Sequence, residues 1–317
     1  MIEAYIEKFK KLRTDRNRKI WTERTSYRAP HKPFLLLSIM DLINQGDITA
    51  NFIEPTFDLV EMFNTYWSAV MPPAASTSMA YPFYHMRSEG FWKLVPDIDT
   101  PVYSVSKLRE HYQGAIIDET LFLLLQQSAS QHQLRTALIT TYFAPDLQPL
   151  VFEQGVVSYQ AHAYGQELLR IAESAAGFEK TVPPALQEPK VRDQAFRKVI
   201  VSLYNHRCAL CGIRMLTPEG HTVVEAAHIV PWHKSQDDRP SNGLSLCRLC
   251  HWSFDEGLMS VGKEYEVLVS KRVTLENNFP GHMLTLSDRR IFRPDDQKYW
   301  PDQENLNWHR QKFYERL

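Results

Sequence analysis

The chain contains no run of about 18 apolar residues, which excludes a membrane-spanning helix. Its opening, "MIEAYIEKFKKLRTDRNRK", has no apolar core followed by a cleavage site. A secretory leader is therefore not expected, and the cytoplasm is the expected compartment. Neither an internal repeat nor a low-complexity tract occurs, which removes solenoids and repeat arrays. An excess of one charge is also lacking: 36 Lys and Arg face 37 Asp and Glu, a net charge of -1. That balance gives no global pull toward nucleic acid, although a protein that meets phosphate through one face need not be basic overall. Cysteine is scarce, with four residues at positions 208, 211, 247 and 250. In a reducing compartment such a cluster favours metal binding over disulfides.

What is present is an ordinary globular composition of 317 residues, 44% hydrophobic and 23% charged. That is enough for about two domains, each with its own core. Apolar residues at 2, 5, 6, 9 and 12 have a helical period. "HKPFLLLSIMDLINQG" reads as a helix with Pro33 near its start and Gly46 at its end. "EPTFDLVEMFNTYWSAV" reads as another, with Pro55 in the first turn. "YPFYHMRSEGFWKLVP", residues 81 to 96, is strand-like with a turn at Ser88-Glu89-Gly90. "DETLFLLLQQSASQHQLRTALITTYF" returns to helix. The expected fold class is α+β: a mostly helical unit with a small sheet over 1–148, a helical and proline-containing linker over 149–190, and a second unit over 191–317. The proline-rich part of the linker is "EKTVPPALQEPK".

Cys208-Ala-Leu-Cys211 and Cys247-Arg-Leu-Cys250 are two CxxC knuckles with 35 residues between them. Together they supply four thiolates, a set that suits tetrahedral zinc and leaves no open position, so the ion would be structural. Between them, "TVVEAAHIVPWHKS" alternates as a strand into His228 and ends at Pro231. Asn242-Gly243 favours a turn, and the second knuckle opens a helix carrying His251 and Asp255. Four residues apart, these two share one helical face and can share a cation.

Phosphodiester hydrolysis needs an activated water and something to absorb charge on the leaving oxygen. A neutral imidazole can take the water's proton near neutral pH, and a divalent cation can stabilise the charge. The expected catalytic set is His228 as base, Asn242 as the amide that bonds the base or its strand, and His251 with Asp255 holding magnesium or manganese. Alone, a histidine on a strand is more often structural, and Asp255 alone could cap or pair with an arginine. His221 and His233 read as surface residues. Trp232, Trp252 and Phe254 read as core or groove wall.

The motifs "YNHRCALCG", "EAAHIVP", "NGLSLCRLCHWSFDEG" and the closing "LNWHRQKF" resemble HNH endonucleases of the ββα-metal fold, in the branch whose two CxxC pairs flank the site. The resemblance covers about 190 to 317. It implies that His228 is the base and that Asn242, His251 and Asp255 take the matching family positions. One position departs: many HNH enzymes carry an Asp or His directly before the base as a metal ligand, and here it is Ala227. Water would fill the place, or Glu225 on the same strand face would reach in.

In the first unit, "RAPHKPFLLLSIMDLI" with "YPFYHMRSEGFWKLV" resembles the sulfur-binding domain fused to HNH restriction endonucleases, which recognises phosphorothioate DNA. Sulfur is larger and less well hydrated than oxygen, so an apolar cup can prefer it while cations hold the phosphate. Tyr81 and Pro82 are the candidates for the cup. His31, Lys32, His85 and Arg87 are the candidates for phosphate and base contacts, with arginine best suited to a guanine edge. The family often has Trp and Arg where this chain has Tyr84 and His85. The same aromatics would also serve as core, or as a pocket for a flipped methylated or hydroxymethylated cytosine.

The leading expectation is a type IV, modification-dependent restriction endonuclease acting on double-stranded DNA as a homodimer, since two concerted cuts need two sites. The alternatives are a zinc-stapled DNA-binding protein without catalysis and a nuclease whose first unit senses another ligand.

Overall fold

The computed structural model describes residues 1–173, 188–275 and 278–314. The chain divides into two compact units, Met1–Tyr159 with Thr217–His221, and Gln160–Leu216 with Thr222–Leu317.

The first unit opens with α1 (Ile2–Lys10), and α2 (His31–Gln45) is its centre. Helix α2 is buried along nearly its whole length, and Gly46 closes it at φ +80°, a conformation that glycine adopts without Cβ strain. After β1 (Phe52–Ile53), α3 (Phe57–Val70) begins at Thr56, whose hydroxyl accepts from the amide of Leu59. Pro55 therefore precedes the cap rather than lying in the first turn. Then follow α4 (Ala80–His85), β2 (Trp92–Val95), α5 (Val105–His111) and β3 (Gly114–Ile117). The three strands pair antiparallel in the order β1-β3-β2. Helices α6 (Glu119–Gln126) and α7 (Ser128–Tyr142) are separate because Gln127 is extended, so the single helix expected there is two.

The strand expected over 81–96 forms only at Trp92–Val95. Residues 80–85 are helical because Ala80, Phe83, Tyr84 and Met86 recur at helix spacing and all are buried. The core joins Phe9, Phe34, Phe63, Tyr66, Phe83, Leu121 and Phe143, each such side chain contributing about 1.5–3 kcal/mol on burial. One polar cluster crosses it: the Tyr66 hydroxyl donates to Asp41 at 2.6 Å, and Arg135 pairs with Asp41 and donates to Tyr66. The partners satisfy one another, as buried charge requires.

Helix α8 (Gln148–Glu173) crosses the division between the units. Most of "EKTVPPALQEPK" lies outside the described residues, and its Pro189 opens α9 (Pro189–Leu203). The second unit then forms a hairpin, β4 (Val224–His228) and β5 (Gly243–Cys247), joined by a loop holding the short α10 (Trp232–Ser235). Helix α11 (Arg248–Asp255) follows directly on β5, which completes a ββα unit. Strands β6 (Met259–Val261) and β7 (Val267–Val269) make a second hairpin, and α12 (Gln303–His309) lies near the end. The register places His228 opposite Gly243 and Val224 opposite Cys247. Phe196 and Ile200 of α9 press onto Gly243, where a Cβ would stand 2.3 Å from Ile200 Cδ1. No described helix is long and apolar enough to cross a membrane.

Candidate functional site

The strand end, the loop and the helix bring the predicted residues of the second unit together. His228, His251 and Asp255 line one cavity of about 380 Å³ with Ile229, Pro231, Trp232, Phe254, His309 and Phe313. His251 Nε2 lies 3.5 Å from Asp255 Oδ2, the one-turn spacing that the helix dictates. On the other ring edge, Nδ1 lies 3.6 Å from Glu225 Oε2, and Glu225 also meets Arg248 at 3.3 Å. Burial raises the Asp255 carboxyl above its usual range, opposed by the charge of His251. A carboxylate that is 60% exposed and an imidazole side by side fit a magnesium or manganese ion that keeps waters and phosphate as its other ligands.

Asn242 is fully buried. Its amide oxygen accepts from Val230 N at 2.9 Å, and its NH2 donates to Val230 O and Asp237 O at 3.0 and 2.9 Å. It thus braces the chain that leaves the His228 strand rather than the ring. The ring is gripped by groups the sequence reading missed. Phe196 stacks on it at 3.7 Å and 6°, and Asp238 Oδ1 lies 2.7 Å from Nε2. "SQDDR" offers two adjacent acids with nothing local to say which turns inward. Asp237 pairs with Arg239 instead. His309 is a second unforeseen histidine of the cavity, stacked on Phe254 at 3.6 Å, with ring nitrogens at Ser260 Oγ and Phe254 O. Trp232 carries the guanidinium of Arg192 over its ring at 3.6 Å, whereas Trp252 is exposed. His221 and His233 are exposed.

The two knuckles meet. One sulfur from each of Cys208, Cys211, Cys247 and Cys250 lies within 4.8 Å of the others, and among the described residues this is the cluster of three or more donors in mutual reach. Gly212 turns the first knuckle at φ +78°, and its amide donates to Cys208 O at 2.9 Å. Hydrogen bonds among the thiols, Cys211 foremost, pull the Cys208 group down to about 7, and the same contacts push Cys211 and Cys250 up. Four crowded sulfurs that compete for protons fit a zinc dication, which would hold all four as thiolates.

In the first unit a pocket of about 350 Å³ is lined by Arg13, Thr14, Asp15, Trp21, Ala29, His31, Lys32, Tyr81, Pro82 and His85. It brings five of the six candidate reader residues together. Arg87 is elsewhere, paired with Asp99 at 2.7 Å and lying over the Tyr84 ring. His31 sits among Trp21, Trp67 and Tyr81 at centroid distances of 5.4, 4.8 and 6.5 Å. Burial takes its pKa down to about 4, so the ring is neutral at pH 7. Lys32 is buried and paired with Glu89, also meeting Ser88 at 3.1 Å. Desolvation lowers its ammonium pKa, and Glu89 opposes that. Arg13 and Trp21 entered unannounced, because nothing in their local pattern marks them as pocket residues.

A hairpin with a histidine at the end of its first strand, an asparagine entering the second and a His/Asp pair on the following helix is the arrangement that the resemblance to HNH endonucleases implies. Residues 208–262 match the HNH endonuclease family, and residues 2–159 match the ScoMcrA-like DNA sulfur-binding domain. The chain thus carries both domain types, the sulfur-binding match first and the HNH endonuclease match second. A similar solved structure is titled a modification dependent TagI restriction endonuclease; it is 24% identical at a TM-score of 0.29. The match spans 40% of this chain and 40% of that one. No protein of curated function matches.

Proposed function

We propose that this protein is a type IV restriction endonuclease that finds phosphorothioate-modified duplex DNA with its first unit and hydrolyses a phosphodiester bond with its second. The division of labour proposed is a reader over 1–148, a linker over 149–190 and a nuclease over 191–317, acting as a homodimer in the cytoplasm. The observation that carries the reading is the gathering of His31, Lys32, Tyr81, Pro82 and His85 around one pocket in a unit of the sulfur-binding family.

The pocket's chemistry favours the soft anion. His31 is neutral, Lys32 is already answered by Glu89, and aromatic rings and Pro82 form much of the wall. A fully hydrated oxyanion would lose water there without full recompense, whereas sulfur loses less. Arg13 on the wall and His85 would hold the remaining phosphate oxygens.

At the second unit, His228 takes a proton from water, whose oxygen attacks phosphorus while the bond to the leaving oxygen breaks. Asn242 keeps the strand end in place. His251 and Asp255 would hold a magnesium or manganese ion, which when bound stabilises charge on the phosphate and leaving oxygen. Arg87, held by Asp99, is proposed as a duplex contact outside the pocket.

The test uses the full chain with phosphorothioate, 5-methylcytosine, 5-hydroxymethylcytosine and plain duplexes, scored by gel shift and by cutting with Mg²⁺ or Mn²⁺. The expected result is selective binding and cutting of the phosphorothioate duplex, with His228→Ala binding equally but cutting about 10²–10⁴-fold more slowly. Preference for a modified cytosine would reassign the pocket. Equal background cutting by both proteins would leave a zinc-stapled binding protein.

A further inference from the structure

We infer that Asp238 is a positioning residue for His228, fixing its imidazole as the Nε2–H tautomer. The inference rests on the nuclease reading and adds the residue that makes the base competent. Asp238 lies in the β4–β5 loop, and its side chain is 1% exposed while that of His228 is 20% exposed. It is not part of the cavity wall. It sits behind the ring, with Oδ1 2.7 Å from Nε2.

Its other oxygen is held by residues far away in sequence. The Tyr164 hydroxyl of α8 donates to Oδ2 at 3.0 Å, and Arg192 Nε of α9 lies 3.2 Å from it. With the Tyr164 hydroxyl and the Arg192 guanidinium both turned to it, Asp238 takes the part of acceptor, the only part open to an aspartate side chain so paired. Nε2 must therefore carry the hydrogen, and Nδ1 must carry the lone pair. Phe196, stacked at 3.7 Å and 6°, stops the ring from rotating out of that bond.

The consequence is specific. The proton taken from water goes to Nδ1, and the positive charge then formed lies against the Asp238 carboxylate. An imidazole of the other tautomer would have its only lone pair turned to Asp238 and could not act as base. His309 shows the contrast within the same cavity: both of its ring nitrogens are engaged, by Ser260 and by the Phe254 carbonyl, so it has no lone pair to offer water. The pairing of Tyr164 and Arg192 on one carboxylate also gives α8 and α9 a task in catalysis.

The experiment combines nitrogen-15 NMR of histidine-labelled full-length protein, with His228→Ala to assign the signal, and steady-state cutting of a nickable duplex. Wild type should show His228 protonated at Nε2. In Asp238→Asn the amide can donate, so the ring should shift toward the Nδ1–H form and kcat should fall about 10–100-fold with KM unchanged. Should that variant not fold, Tyr164→Phe removes one tether of the carboxylate and should lower kcat about fivefold, with a shifted Nε2–H signal. An unchanged tautomer signal with unchanged kcat in these variants overturns the proposal. Absence of cutting by wild type on every duplex would sink the nuclease reading instead, and the tautomer signals would still decide the role of Asp238.

Discussion

The pocket of the first unit and the cleft of the second are nearly equal in volume, about 350 and 380 Å³, and each presses a histidine against aromatic rings. Their chemistry nevertheless diverges. His31 lies among Trp21, Trp67 and Tyr81, and burial keeps it neutral. His228 rests on Phe196 but is bonded to the Asp238 carboxylate, with His251 and Asp255 on the same cavity wall. Aromatic burial alone makes a surface that sorts ligands by hydration. Burial beside a carboxylate makes a group that can move a proton. The two sites differ in how the carboxylate meets the ring: Asp238 bonds His228 at 2.7 Å, whereas Asp15 acts on His31 only through its charge, and burial outweighs it.

The comparison can be broken most completely at the four-cysteine cluster. Stripping metal with a strong chelator, or Cys247→Ser, should abolish the second unit's thermal transition while the first unit's transition persists in calorimetry of the full chain. Apparent binding energies of structural zinc reach about 10–16 kcal/mol, as large as a domain's whole stability of about 5–15 kcal/mol. Loss of both transitions together would show that the two units do not melt separately.

A smaller effect sharpens the first pocket. The folded pKa of His31, about 4, lies below the ordinary 6.5. The unfolded chain therefore binds the extra proton first as pH falls. The stabilisation is complete above 6.5 and is lost progressively down to 4, amounting to about 2 kcal/mol between pH 7 and 5. Denaturation of the full chain, followed by tryptophan fluorescence, should show this slope in wild type and a shallower one in His31→Phe. His309, also held to about 4 by burial, would keep its share of the slope in the second unit.

Smallest is Gly243→Ala. The added methyl would meet Ile200 Cδ1 at 2.3 Å and Phe196 Cζ at 3.1 Å, so both side chains must move. A cost of about 1 kcal/mol is expected, together with slower cutting as Phe196 leaves the His228 face. Unchanged kcat would show that the stack is dispensable.

Much of the second unit was legible because its signals are local. The CxxC pairs, the strand that ends at His228 and the one-turn spacing of His251 and Asp255 need only a hairpin and a helix to meet. The first unit was less legible at its elements. Tyr81 to His85 read as strand from their aromatic content, yet tertiary burial of Phe83, Tyr84 and Met86 made them helical. Its pocket residues were still found in part, because the two segments that carry them resemble the sulfur-binding domain. Trp21 and Arg13 carried no such mark.

The order and chemical type of the donors were set by the sequence itself: four thiols, an imidazole, an amide, and an imidazole with its acid, each within reach of the next along the chain. Only the tertiary structure could choose Asp238 over Asp237, bring Tyr164 and Arg192 onto it, lay Phe196 on His228 and turn Arg87 to Asp99. Those partners are separated by up to tens of residues with no shared period, so packing alone determines which of them meet.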